Sequence, residues 1–193
     1  MKDKINWSDI NGWFSEADKL FVSDIFKNIH DSIVVELGVF EGRSTAVMMP
    51  IALKNNNEYY AIDNFLGGID ASTEASKIQR VEGPKIMNKF MSNMKKMGIN
   101  RSDYKLFKTD SASAAVYLVD NTVGFCFVDA DHAYISVTKD IETWWPKIKI
   151  GGYLAGHDFQ NKDVKMAVTE FSKYKNLNIE IGGNCWSLKK ERN

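Results

Sequence analysis

Two short runs in this sequence are apolar at almost every position: Ile33 to Leu37 (IVVEL) and Val123 to Val128 (VGFCFV). A strand with one face in water alternates apolar and polar residues. Near-continuous hydrophobicity therefore implies strands covered on both faces, as in a parallel sheet held between helical layers. EYYAID (Glu58 to Asp63) and YKLFKTD (Tyr104 to Asp110) are short, rich in β-branched and aromatic residues and bounded by turn-formers, so they also read as strands. Helical stretches lie between and after them, at Arg43 to Lys54, Pro84 to Met97, Ser111 to Asp120 and Ile135 to Ile148. Such alternation predicts a doubly wound α/β fold with a sheet of about seven strands and helices on both faces. GGYLAGHDF adds a strand and Asp163 to Lys175 a helix. LNIEIGGNCWSLKK then reads as two strands joined by Gly182-Gly183, an antiparallel hairpin closing a mostly parallel sheet.

A chain of 193 residues fits one domain, spanning 1–193. An N-terminal helical segment is expected within 1–32, where Leu20, Phe21, Ile25, Phe26 and Ile29 would pack on the sheet. Residues 64–97 read as a substrate-side insertion followed by a helix. Asn64 to Gly83 has little periodicity, and loops of that length in compact domains are usually functional, here as a lid. The next helix carries Met87, Phe90, Met91, Met94 and Met97 on one face, suited either to core packing or to an adaptable pocket wall. The 25 basic residues balance the 25 acidic ones, which gives no electrostatic argument for nucleic acid or an anionic membrane as partner. No apolar stretch is long enough to span a bilayer and no signal-peptide pattern is visible, so a cytoplasmic protein is expected. Cys126 and Cys185 lack CxxC spacing and read as reduced core residues. Trp144, Trp145 and Trp186 read as packing aromatics, or, if exposed, as an interface for a homo-oligomer.

VVELGVFEGRS, Val34 to Ser44, passes from the first strand through Gly38 and Gly42 into a helix. In open α/β sheets ligands settle beyond the carboxyl ends of the strands, where a glycine turn lets backbone come close. The dinucleotide fingerprint GxGxxG would need glycine at Phe40 and Arg43, which weakens a nicotinamide site, and no Walker A loop is present. What remains is a turn suited to a ligand without phosphates, with Glu36 before it and Asp63 ending the second strand. A carboxylate there can take both hydroxyls of a ribose. A nucleoside with a zwitterionic tail is the ligand suggested.

E-L-G-V-F-E-G-R-S resembles motif I of the class I S-adenosylmethionine-dependent methyltransferases, in particular their O-methyltransferase branch, to which catechol and caffeoyl-coenzyme A enzymes belong. FVDADHAY followed by DIETWWPKIKIGGYLAGHDF is similar to a bacterial subgroup that includes macrolide-sugar O-methyltransferases. The resemblance covers Val34 to Phe159 in order and implies a Rossmann-like sheet with S-adenosyl-L-methionine as cofactor. It implies a turn of Gly38, Phe40 and Gly42 under the cofactor, and Ser44 at the methionine carboxylate, unless Ser44 only caps its helix. Glu36 would face the methionine amino group, or else pair with a neighbouring helix. Asp63 would take the ribose and Asn64 the adenine edge. Asp110 and Ser111 would contact the adenine amine, although Asp110 also suits a helix cap.

Methyl transfer from a sulfonium requires an aligned acceptor and removal of a proton from the acceptor oxygen. Asp129, Asp131, His132, His157 and Asp158 converge if strands four and five are adjacent. His132 stands where catechol-type relatives have lysine, and an imidazole suits a general base at neutral pH. His157 is the second candidate, while His30 reads as a helix-end residue. Many relatives bind Mg²⁺ at these strand ends. Asp129, His157 and Asp158 are the corresponding ligands here, and the imidazole favours Mn²⁺ or Zn²⁺ over Mg²⁺. The expected partner is a small hydroxylated acceptor, a sugar or other metabolite. A nicotinamide oxidoreductase and a non-catalytic S-adenosylmethionine-binding module are the alternatives.

Overall fold

The computed structural model describes residues 5–191; residues 1–4 of the N-terminal segment and 192–193 lie outside the described residues. The strands are β1 (Ile33–Leu37), β2 (Glu58–Ile62), β3 (Tyr104–Phe107), β4 (Val123–Val128), β5 (Ile148–Gly156), β6 (Glu180–Gly182) and β7 (Cys185–Lys189). They form one sheet in the order β3-β2-β1-β4-β5-β7-β6. The first five are parallel, and β7 runs antiparallel to both β5 and β6. Every residue of β4 is buried, as its near-continuous hydrophobicity predicted. Strand order reverses between β1 and β4, which opens a crevice at their carboxyl ends.

Seven helices surround the sheet among the described residues: α1 (Glu16–Phe26), α2 (Thr45–Lys54), α3 (Glu74–Glu82), α4 (Pro84–Lys96), α5 (Ser111–Ala114), α6 (Tyr134–Trp144) and α7 (Lys162–Lys175). One face of the sheet packs Phe125 and Phe127 with Val22 and Phe26 of α1, Met48 of α2 and Phe90 of α4. The other face joins Val35 and Leu37 to Ile141 and Trp144 of α6 and to Val168 of α7. The methionine-bearing face of α4 belongs to the first of these layers, which makes it core packing. None of the helices is long and apolar enough to cross a membrane.

Several boundaries differ from the expectation. The Asn64 to Gly83 insertion contains helix α3, capped by the Thr73 hydroxyl accepting from the Ser76 amide at 3.2 Å. Its buried residues are Ser76 and Gln79, so the buried side is polar and leaves no apolar period to read. The expected helix Ser111 to Asp120 is one α-helical turn and one 3-10 turn, with Val116, Tyr117 and Val119 exposed. Pro146 removes a backbone donor, so α6 gives way to a 3-10 turn and Ile148 already begins β5. In α1 the expected Ile25 and Phe26 are buried together with Val22, whereas Leu20 points to solvent. The hairpin turn falls at Gly183-Asn184, one residue later than expected. Trp144, Trp145 and Trp186 are buried and therefore form no interface, and both cysteines are free and buried.

Candidate active site

Past Leu37 the chain turns at Gly38 with φ of +84°, and a Cβ there would lie 2.1 Å from the Asp129 carbonyl oxygen. Only glycine fits, because β1 and β4 bring two backbones into contact at this corner. Phe40 also has positive φ, at 46°. That conformation is costly for a bulky residue unless its surroundings hold it. Asp63 provides the hold: its Oδ2 accepts the Val39 amide at 3.0 Å and the Phe40 amide at 2.9 Å, while Oδ1 accepts the Phe65 amide at 2.6 Å. Burial pushes the Asp63 carboxyl up, and these three amides work against that push. The acid expected on a ribose is thus already engaged in organising the turns after β1 and β2, although it still lines the crevice.

Two connected chambers share Gly38, Phe40, Ala75, Asp129 and Ala130 in their walls. The smaller, of about 410 Å³, includes Asp63, Asn64, Asp110 and Ser111. The larger, of about 790 Å³, includes Ser44, Trp13, Phe14, His132, His157 and Asp158. Both volumes lie in the range of small-molecule sites, ~300–1,000 Å³.

Glu36 does not reach the crevice. Its buried carboxylate accepts hydroxyl hydrogen bonds from Ser44, from Thr45 at 2.6 Å and from Tyr59 at 2.7 Å, and no cation among the described residues pairs with it. Burial pushes it up to about 7. Ser44 makes no capping hydrogen bond to α2, so the capping alternative fails; its hydroxyl faces Glu36 at the crevice wall. Asp110 is a helix cap, accepting the Ser113 amide at 3.0 Å. The Ser111 hydroxyl donates to Asp140, a buried carboxyl pushed up to about 6 by desolvation. Asn64 accepts the Leu66 amide at 2.7 Å.

The groups at the ends of β4 and β5 form a chain. His132 Nε2 lies 2.9 Å from Asp158 Oδ2, and that oxygen is 3.3 Å from His157 Nδ1. His157 Nε2 is in turn 3.3 Å from Asp18 Oδ2. His132 has a side chain 20% exposed, whereas that of His157 is 4% exposed. Burial opposes charge on His157, yet Asp158 and Asp18 on either side push it up to about 10. Burial likewise works against ionisation of Asp158, but the two imidazoles hold it well below the usual carboxylate range. Desolvation pushes Asp129 up to about 8.

The expected metal residues do lie close together, with His157 Nδ1 3.9 Å from Asp129 Oδ1 and 3.3 Å from Asp158 Oδ2. Donor atoms of Asp129, His132 and Asp158 also lie within 4.8 Å of one another, while His157 Nε2 faces Asp18. The Asp158 oxygen that a cation would need is already shared by two imidazoles, so these residues fit a divalent ion poorly.

Two contributions had no counterpart in the sequence reading. Asp18 accepts the Ser15 amide at 2.7 Å and the Asn184 amide at 2.6 Å, tying α1 to the hairpin turn behind His157. The Ser15-x-x-Asp18 capping box was its one visible signal. Arg43, weighed only as an obstacle to pyrophosphate, donates to the carbonyls of Ser8, Ile10 and Phe14 and holds that segment as a wall of the larger chamber.

Known proteins share the fold. An uncharacterised protein of Acanthamoeba polyphaga mimivirus is 27% identical over 135 residues, 68% of this chain and 53% of that protein, so the chain spans about half the length of the curated relative it matches. Among solved structures, the O-methyltransferase NovP superposes with a TM-score of 0.69 at 16% identity, covering 90% of this chain and 79% of NovP. The calicheamicin methyltransferase CalS11 gives 0.67 at 15% identity, covering 89% and 78%. Residues 35–159 match the family model described as a methyltransferase domain, and the chain belongs to that S-adenosylmethionine-dependent family.

Proposed function

We propose that the protein methylates a hydroxyl of a small uncharged acceptor, with S-adenosylmethionine across the two chambers and His132 as general base. The observation that carries this reading is the meeting of both chambers at Gly38 and Asp129, within reach of the His132–Asp158 pair. Gly38 lines both chambers at the corner where β1 meets β4, and the smaller chamber suits the nucleoside half of the ligand. When bound, S-adenosylmethionine supplies an electrophilic methyl group. Asp158 takes the Nε2–H of neutral His132, which leaves the lone pair on Nδ1 to accept the acceptor's hydroxyl proton. His157, nearly sealed from solvent and flanked by two carboxylates, holds Asp158 from behind.

The acceptor half of the larger chamber combines the aromatic rings of Trp13 and Phe14 with the amides of Asn11, Gln160 and Asn184. Trp13 is half exposed, its ring 5.8 Å from that of Phe40. Aromatic faces beside amide groups suit a sugar or similarly hydroxylated molecule. Arg43 commits Nε and Nη1 to three carbonyls, which leaves Nη2 as its remaining donor nitrogen toward an acceptor.

Calorimetry tests the cofactor: S-adenosylhomocysteine binds and NADH does not, the reverse result favouring an oxidoreductase. Transfer of labelled methyl onto sugar and phenol libraries then tests the acceptor. Exhaustive chelation leaves that transfer undiminished, because imidazoles rather than a cation balance Asp158; loss of turnover restored by Mn²⁺ or Zn²⁺ would reverse this. Asp63→Ala weakens S-adenosylhomocysteine binding at least ~tenfold, since the Val39, Phe40 and Phe65 amides lose a charged acceptor and the turns relax. Unchanged affinity would contradict the role given to Asp63.

A further inference from the structure

Asp131 belongs by sequence with the groups near the chemistry, yet its carboxylate is turned toward the loop after β2. Oδ2 accepts the Ile69 amide at 2.9 Å and the Ser136 hydroxyl at 2.6 Å, and Oδ1 accepts the Asp70 amide at 3.1 Å. From the loop side the fit is equally close. A Cβ on Gly68 would lie 2.5 Å from Asp131 Oδ1 and 2.6 Å from its Cγ. Gly68 does not have the left-handed φ that favours glycine, so it is the carboxylate, not the backbone, that requires the missing side chain. The same turn is fastened again by Arg80 Nη2 donating to the Gly68 carbonyl at 2.8 Å and by the Gly68 amide donating to Ser76 Oγ at 3.2 Å. Gly68, Ile69, Arg80 and Asp131 all line the smaller chamber.

We propose that Asp131 is a positioning residue that latches the Gly68–Asp70 turn over the nucleoside chamber and thereby sets how tightly, and for how long, the cofactor is held. This rests on the reading that the smaller chamber takes the nucleoside half. Two charge-assisted backbone hydrogen bonds fasten an exposed turn to the first residues before α6, and breaking them frees the wall without touching β1, β2 or the glycine corner. The turn is attached from within the site, so its opening controls release.

The test uses S-adenosylhomocysteine as probe, with calorimetry for affinity, stopped-flow for release and hydrogen exchange at the Ile69 and Asp70 amides. Asp131→Ala and Gly68→Ala each weaken binding about tenfold or more, mostly by faster release, and both speed exchange at the two amides. Gly68→Ala leaves the Asp131–Ser136 bond at the start of α6 in place, so its effect cannot be assigned to damage of that helix. Unaltered affinity, release and exchange in both Asp131→Ala and Gly68→Ala overturn the proposal. Should the unaltered protein fail to bind S-adenosylhomocysteine, the cofactor reading falls, and amide exchange in Gly68→Ala still decides whether the latch exists.

Discussion

Replacing His132 with glutamine lowers the rate of methyl transfer by about 10²–10⁴-fold, the usual worth of a positioned general base, and leaves S-adenosylhomocysteine affinity nearly unchanged. Glutamine keeps a donor for Asp158 but has no nitrogen that takes a proton, so the loss reports proton transfer rather than packing. The pH profile carries the same information. Burial lowers the affinity of His132 for its proton, but the bond to Asp158 and the charges of Asp158, Asp129 and Asp131 outweigh it, and the ring titrates above its ordinary value of 6.5. A base is active only when unprotonated. The rate therefore climbs as pH rises through a point above 6.5 and levels off beyond it. Asp158→Asn removes the neighbouring charge and moves that climb to lower pH. The assignment fails if His132→Gln retains the rate while His157→Gln loses it, or if the climb stays in place in Asp158→Asn.

Gly38→Ala is expected to abolish cofactor binding and to cost a large part of the fold's stability. The added Cβ would stand 2.1 Å from the Asp129 carbonyl oxygen, 2.6 Å from the carbonyl carbon and 2.7 Å from Ala130 Cα. None of these atoms is the end of a flexible side chain. The Asp129 amide donates to the Leu37 carbonyl at 2.8 Å and the Gly38 amide to that of Ile62 at 2.8 Å, so relief demands breaking the sheet at its ligand-binding edge. A non-glycine residue in the left-handed region costs ~1–3 kcal/mol and overpacking a further ~1–3 kcal/mol. Against a typical total of ~5–15 kcal/mol the sum is severe. Denaturant unfolding with calorimetry measures both effects, and a variant with native stability and affinity would refute the close approach of β1 and β4.

The sheet was legible because its signals are local. Near-continuous apolar runs mark β1 and β4, and Gly38 follows directly on β1. Helix α3 was not legible, because a helix whose buried residues are Ser76 and Gln79 shows no apolar period. The composition of the site could be read from the strand ends, but its orientations could not. Asp131 and His132 are adjacent in sequence and face opposite business, one holding the loop and the other Asp158. Asp63, expected to meet the ligand with its carboxylate, has it committed to main-chain amides, a pairing between residues 23 and 24 positions apart that no motif announces. The contact of Asp18 with His157 spans 139 positions and comes from a residue outside the span matched by the family model.

That last contact separates inheritance from assembly. The matched span carries the smaller chamber with His132 and His157, while the carboxylate on the Nε2 side of His157 comes from upstream of it and the Asn184 amide that steadies this carboxylate from downstream. A graft of residues 35–159 onto another scaffold would carry the signature and Asp158 but leave the Nε2 side of His157 without the carboxylate of Asp18. Diversification of such catalysts can therefore proceed at the flanks, retuning the buried imidazole while every signature residue stays as it is.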